Sequence, residues 1–189
     1  MRKTTSSTDR ATSEVLQTGV SSYRVRLAGW FAPSWIVPFC SELAARQLSI
    51  DSAHLLRKLD QTWVAELDLT ALPAADDPLA VSYIELAGAS AAPAGMQAAP
   101  LRLARYSIED PAEAGGTLHV TIEADDSLGL LGSMLAQLAV LSLFPMEMHI
   151  ETRAGRAYDS FWLSAVGGSE PGPATRSSLE RALKRACET

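Results

Sequence analysis

The sequence predicts an α+β fold built from two copies of one β-α-β-β-α-β unit. Three observations support this prediction. Short runs such as 23–27 alternate apolar and polar residues, which is typical of strands with one buried face. Longer runs such as 128–142 carry apolar residues at helical spacing. A constant shift of about 95 residues aligns helix with helix and hairpin with hairpin, which indicates an internal repeat.

The first copy contains every element of the unit. Alternation marks its strands. Pro38 is tolerated only in the first turn of the first helix, and Asp77-Pro78 offers an N-cap followed by proline at the first helical position. The predicted elements are a strand at 23–27, a helix at 33–47, hairpin strands at 49–57 and 61–69, a helix from Asp77-Pro78, a Gly/Ala/Pro-rich loop at 88–100 and a strand at 101–108.

The second copy follows the same order but is predicted to lack its last strand. Its predicted elements are a strand at 117–124, a helix at 128–142, hairpin strands at 145–153 and 156–164, and a helix at 174–187. The missing strand would leave 117–124 as a free edge, and free edges become paired or covered. The predicted division is a disordered tail at 1–20, a first module at 21–110 and a second module at 115–189.

Composition excludes several functions. The net charge of −6 and the isoelectric point of about 5.1 argue against a nucleic-acid partner, because such binding needs a basic surface. Cys40 and Cys187 lie far apart without a CxxC pair, so neither a disulfide framework nor a metal site is predicted. Residues 1–20 lack the apolar core of a signal peptide, and we expect a cytoplasmic protein.

One segment is long and apolar enough to raise the question of a membrane span. Residues 127–146 contain no charged side chain, and about 20 apolar residues can cross a bilayer. The run also holds several polar residues and Pro145, and its flanks lack basic residues. A buried helix followed by a strand is therefore favoured, with no membrane partner.

The sequence does not predict an enzyme. The three histidines, His54, His119 and His149, all fall in predicted strands. No metalloprotease, nucleophile-elbow, P-loop or dinucleotide-binding motif is present in the sequence. We therefore expect no catalytic residues and no cofactor.

The turn before helix 128–142 is the predicted ligand site. Gly129 allows an unusual φ or the close approach of a ligand. The helix N-terminus offers N–H groups for a carboxylate, and Asp126 could hold an ammonium group or could simply cap the helix. An amino acid carries both charges. The predicted ligand-binding residues are Asp126, Ser127, Leu128, Gly129, Leu130 and Leu131.

Helix 128–142 also indicates assembly. Its predicted inner face is Leu131, Met134, Leu135, Leu138 and Leu141, whereas its outer face carries Gly132, Ala136, Ala139 and Val140. A helix that faces solvent would carry charged residues there. The outer face is therefore predicted to be covered by the first copy or by another subunit, as a homo-oligomer or with a protein partner.

Two motifs give a family resemblance. The segment 126–131 matches the pattern D-x-x-G-L-L, and 150–161 matches I-x-T-x-G-x-R-A-x-D-x-F with the glycine moved by one position. They resemble the ACT domain, in particular the C-terminal ACT domain of the bacterial nitrogen-sensing uridylyltransferase. The two-module build is similar to the glycine-cleavage regulator family. The resemblance implies two ferredoxin-like modules in tandem that bind an amino acid or another small ligand at the first turn, without catalysis.

The chain departs from this pattern in the first copy. In residues 28–34, neither the Asp nor the Gly stands at its position in the motif. Trp30 and Phe31 would fill the pocket or a contact surface there. In the second copy, Arg156 and Asp159 match the family hairpin, and a cross-strand ion pair explains them equally well. A degenerate module that pairs only with proteins therefore stays open beside the ligand sensor.

Overall fold

The computed structural model describes residues 2–5, 11–88, 101–110, 112 and 116–188. Within these residues the chain forms nine β-strands and four α-helices, and every pairing between neighbouring strands described below is antiparallel. The chain divides into two compact units, Met1–Gln97 and Ala98–Thr189. The mixed α+β class predicted from the sequence is confirmed.

The first unit contains five strands in the order β1-β2-β3-β5-β4. The hairpin strands and the first helix begin within about three residues of their predicted positions. The elements are β1 (Arg2–Thr5), β2 (Thr12–Gln17), β3 (Ser22–Trp30), α1 (Ile36–Ala45), β4 (Leu48–Arg57), β5 (Thr62–Ala71) and α2 (Tyr83–Gly88).

Aromatic side chains form the centre of the first unit. Trp35 precedes α1 and packs against Phe39 at 5.1 Å and against Trp63 of β5 at 5.8 Å between ring centroids. Both indoles are fully buried, and so is Tyr83, whose hydroxyl donates to the carbonyl of Pro78 at 3.2 Å. Edge-to-face pairs of this kind add to the burial of apolar surface, so they fix α1 and α2 against the sheet.

The second unit contains four strands in the order β8-β9-β7-β6. Its elements are β6 (Arg105–Glu109), β7 (Leu118–Asp125), α3 (Leu130–Val140), β8 (Phe144–Arg153), β9 (Arg156–Ser164), a short 3-10 turn (Val166–Gly168) and α4 (Pro173–Cys187). The predicted helices, strand and hairpin are all present. From β2 onward the first unit therefore has the same order as the second, β-β-α-β-β-α.

The core of the second unit follows from period-two alternation in its strands. Alternate residues of β7 are buried while their neighbours are partly exposed. Helices α3 and α4 supply the other buried side chains. The most buried residues are Leu118, Val120, Ala124, Met134, Leu138, Met148, Phe161, Leu163, Leu179 and Leu183.

The free edge predicted for the second unit is not found, although no strand follows α4 among the described residues, as predicted. Strand β6 pairs with β7 from Arg105↔Glu123 to Glu109↔His119, so the edge predicted to be free is covered. Residues 101–108 were predicted to close the first module, and the predicted module boundary at 110 moves accordingly. Pairing β6 with the next strand along the chain closes a shorter loop than returning to β3, which lowers the entropic cost.

The prediction of a disordered tail over 1–20 also fails. Strand β2 pairs with β3 from Thr12↔Ala28 to Gln17↔Tyr23, and the turn between them is closed by the Thr18 N–H bonding to the Ser22 carbonyl at 2.8 Å. Strand β2 thus covers β3 as β6 covers β7. Residues 6–10 of the predicted tail, and 89–100 of the predicted loop, lie outside the described residues.

The second helix of the first unit starts later than predicted. The carboxylate of Asp77 accepts the Leu79 N–H at 3.0 Å, which closes a turn, and the helix itself begins at Tyr83. Asp and Pro at these positions favour a turn as readily as a helix start.

Candidate functional site

The predicted ligand-binding segment Asp126–Leu131 joins β7 to α3. The N–H of Asp126 donates to the carbonyl of Gly155 at 2.9 Å, and Gly155 lies in the turn between β8 and β9. The two motifs identified in the sequence therefore contact each other. Ser127 and Leu128 are exposed, and the other four residues of the segment are half-buried.

Gly129 occupies the N-cap position of α3 with φ 88°, in the left-handed region. A Cβ placed on Gly129 would meet no atom within 4 Å in the described part of the chain. Backbone conformation rather than crowding therefore requires glycine, and the space beside it is open. The first helical hydrogen bond runs from the Ser133 N–H to the Gly129 carbonyl at 3.0 Å.

Asp126 does not hold the N-cap position that sequence analysis left open for it. That position belongs to Gly129, which forms no side-chain cap hydrogen bond. Asp126 lies three residues earlier and is half-buried. A helix N-terminus carries a partial positive charge and N–H groups without intrahelical acceptors, so the segment combines an anion-binding end with a nearby carboxylate.

The expected ion pair of the hairpin involves Arg156 but excludes Asp159. The guanidinium of Arg156 lies 2.7 Å from the Glu123 carboxylate on β7 and 3.7 Å from that of Asp125. Asp159 points to the helix-covered side of the sheet, since Ala157 and Phe161 at alternate positions are buried there. The side chains of Arg156 and Asp159 therefore lie on opposite faces of the sheet.

Asp159 belongs to the hairpin motif, but sequence reasoning missed its burial. It is 2% exposed, and its Oδ1 has no hydrogen-bond partner among the described residues. Burial raises the pKa of this carboxyl to about 7, the N–H of Glu151 opposes that shift, and the charge of Asp126 adds to it. Period-two alternation through Ala157, Asp159 and Phe161 was the signal that could have found it.

The outer surface of α3 is only partly as predicted. Val140 is 84% exposed, and Ala136 and Ala139 are half-buried, whereas Gly132 is buried within the unit. A cavity of about 360 Å³ opens between the ends of α3 and α4. Its lining is Leu101, Gln137, Val140, Leu141, Ala182, Arg185 and Ala186.

The corresponding turn of the first unit differs in shape. Gly29 has φ +148°, and a Cβ there would lie 2.7 Å from the Cα of Ala11, so the start of β2 occupies the space beside it. Phe31 packs against Trp35 at 4.9 Å, while Trp30 is 56% exposed. Of the two aromatic residues predicted to fill a pocket or form a contact surface, one therefore lies in the core and one on the surface.

The histidines of the second unit pack around one tryptophan. The imidazole of His119 stacks on Trp162 with ring centroids 4.3 Å apart, and that of His149 lies 5.0 Å from the same ring. Each also contacts a glutamate, His119 with Glu109 at 2.8 Å and His149 with Glu147 at 2.7 Å. These contacts hold both rings against the sheet, while the buried Nε2 of His119 has no hydrogen-bond partner among the described residues.

Comparison of the chain with protein-family models, with curated proteins and with solved structures gave no match. Among the helices in the described ranges, none combines the length and the apolar character needed to cross a bilayer.

Proposed function

We propose that this protein is a non-catalytic sensor of a small ligand, an amino acid, which binds at the Asp126–Leu131 turn of an ACT-like module. The observation that carries the proposal is the contact between the two motifs. The glycine turn at the start of α3 is held against the β8–β9 turn by the Asp126 N–H bond to Gly155, at 2.9 Å.

The chemistry of the turn fits the two charges of an amino acid. The α3 N-terminus favours a carboxylate through its N–H groups and dipole. Asp126 supplies negative charge within the same turn, and the open space beside Gly129 allows a ligand to approach the backbone. An amino acid carries a carboxylate and an ammonium on one carbon atom, so it suits both the α3 N-terminus and Asp126.

The strand neighbours also favour ferredoxin-like modules. In the series β2-β3-β5-β4 and in the series β6-β7-β9-β8, the strand that leads into the first helix, β3 or β7, is covered by the strand that precedes it in the chain. A β-α-β-β-α-β module fills that edge with its last strand. We infer that in this chain the preceding strand, β2 or β6, takes that place. Each module then has the strand neighbours of a ferredoxin-like unit, but the strand that covers β3 or β7 comes first in the chain instead of last.

A second candidate is an interaction module that binds no small molecule. The exposure of Val140, at 84%, favours it, because an exposed apolar residue on a helix that carries no charged side chain is typical of a contact surface. The two candidates differ in whether a free amino acid stabilises the protein.

A thermal-shift screen of the full chain against the twenty amino acids tests the proposal. A ligand present at 100 times its Kd stabilises the native state by about 2.7 kcal/mol, which raises the midpoint by several degrees. We expect one amino acid, or a chemically related group of them, to raise it in this way. If all twenty leave the midpoint unchanged at millimolar concentration, the interaction module is the better explanation.

A further inference from the structure

The carboxyl group of Asp159 lies in the core, and no ion pair joins it to a cation in the described part of the chain. It shares the helix-covered face of β9 with Ala157 and Phe161 and is 2% exposed. The nearest arginine along the strand, Arg156, pairs instead with Glu123 across to β7 at 2.7 Å. Ionised carboxylates are almost never buried in this way unless something pairs with them.

The hydrogen bonds of this carboxyl are incomplete. The Glu151 N–H of β8 donates to it, while Oδ1 lacks a partner among the described residues. A buried acceptor without a donor is unusual enough to require an explanation, and an unoccupied ligand contact is one such explanation.

The surroundings of Asp159 contain one other carboxylate and little else that is polar. Asp126, in the turn before α3, is the charged side chain that acts on it. The other buried polar side chains described in this unit are Ser133 of α3 and Ser164 of β9. The buried side chains of β7, β8 and α4 are apolar: Leu118, Val120, Ile122, Ala124, Met148, Ile150, Leu179, Leu183 and Ala186.

Asp159 is also tied to the predicted ligand turn through the backbone. Arg156 pairs with Asp125 at the end of β7, and the next residue, Asp126, bonds to Gly155. Asp159 follows Arg156 by three residues on β9, and the charge of Asp126 acts on its carboxyl. The incomplete carboxyl, the acidic Asp126 and the α3 N-terminus belong to one corner of the unit.

We propose that Asp159 receives the ammonium group of the amino acid bound at the Asp126–Leu131 turn and releases a proton to solvent as it does so; this inference rests on the proposed function. The empty site holds a neutral carboxyl, and the bound site holds a carboxylate paired with the ammonium. Because the carboxyl is covered in the structure, the turn shifts as the ligand enters, which couples binding to the start of α3.

Proton release makes binding depend on pH. The pKa of Asp159 is raised to about 7, so a cationic ligand competes with a proton across the neutral range. Affinity is expected to increase about tenfold between pH 6 and pH 8, while the ligand ammonium stays protonated. Affinity that is the same at both pH values contradicts the proposal.

Isothermal titration of the full chain with the twenty amino acids and with their N-acetyl derivatives tests the role of the ammonium. The derivatives keep the carboxylate and the side chain but lack the charge on nitrogen. We expect the wild type to bind the free amino acid at least about 10-fold more tightly than its derivative. Equal affinities overturn the inference and leave the proposed function standing.

The Asp159→Asn variant further separates the inference about Asp159 from the proposed function. It keeps the shape of the side chain, and we expect it to lose at least about 10-fold in affinity and the whole pH dependence. Asp125→Asn is the matched control, because its carboxyl is 90% exposed at the neighbouring end of β7. If Asp159→Asn binds like wild type, the inference is wrong. If wild type binds no amino acid, the proposed function fails and the inference with it.

A wild-type measurement covers the case in which the variant does not fold. Binding enthalpies at pH 7, in two buffers of different ionisation enthalpy, count the protons released. About half a proton per ligand is expected for a group half-protonated at that pH. Zero release overturns the inference even if an amino acid binds.

Discussion

At the scale of single residues, the second unit places a carboxyl group where its charge is unfavourable. Asp159 is as buried as the apolar residues around it, and its pKa is raised from 3.8 to about 7, chiefly by that burial. The folded protein therefore holds a proton that the unfolded chain would release. The contribution of such a group to native-state stability is fully present below its pKa in the unfolded chain. It is lost as the pH rises through its pKa in the folded protein.

This residue predicts a pH dependence of stability. Between about pH 4 and pH 8, the free energy of unfolding should fall by about 2–4 kcal/mol because of Asp159. Asp159→Asn should remove this part of the slope, whereas Asp125→Asn, at an exposed carboxylate, should leave it. Urea denaturation at several pH values measures the effect. If the free energy of unfolding falls equally steeply with pH in wild type and in Asp159→Asn, a group other than Asp159 holds the proton.

Gly129 is a second residue whose backbone decides its identity. Its φ of 88° is strained for any residue with a Cβ, although nothing would clash with that atom. Gly129→Ala should therefore cost about 1–2 kcal/mol of stability by strain alone. Gly88→Ala, at a helical glycine with open space around it, is the control and should be neutral or stabilising. Thermal denaturation compares the two, and equal effects would contradict the strain argument.

At the scale of elements, the strands that cover β3 and β7 distinguish these units from the predicted ones. Strands β2 and β6 each precede the β-α-β-β-α series and pair with the next strand, β3 or β7. Local pairing of this kind closes a short loop and leaves neither β3 nor β7 as an edge. The segment before β6 is also tied to α4, through the Leu103 N–H bond to the Ala186 carbonyl at 2.9 Å.

Coverage of β7 on both sides predicts its hydrogen exchange. With β6 on one side and β9 on the other, amides along residues 119–123 of β7 should all exchange slowly. A free edge would instead leave alternate amides of β7 unprotected, because successive N–H groups point to opposite sides of a strand. Residue-resolved exchange by NMR distinguishes these patterns. Fast exchange at alternate β7 amides would contradict the pairing of β6.

At the scale of the whole molecule, the open question is what contacts the outer surface of α3. Val140 is 84% exposed beside the half-buried Ala136 and Ala139, without a charged residue on α3 itself. We propose that this surface mediates self-association or a contact with a protein partner. Gly132 is buried within the unit, so the proposed contact surface is confined to the C-terminal half of α3.

Self-association predicts a mass above 20.2 kDa in light scattering at micromolar concentration. Val140→Glu should shift the protein toward monomer, because an unpaired charge would be buried in the contact. Ser177→Glu, on an exposed position of α4, should have no effect. A monomeric wild type would exclude self-association and leave a different protein as the partner.

The sequence by itself determined the repeat and most of its elements. Alternation placed β3, β5, β7 and β9, and helical spacing placed α1 and α3, because these periods depend on which face of each element is buried. The Gly turn was also visible, because its left-handed conformation restricts which residue can stand at Gly129.

Only the tertiary structure decided which strands pair and which polar groups are left without partners. The alternating run at 105–109 suits β3 and β7 equally well, and chain connectivity rather than local pattern selects β7. The motif identified Asp159 without indicating that Arg156 pairs on the opposite face. Its raised pKa results from the apolar layer that the helices and neighbouring strands place around it, which no local sequence pattern encodes.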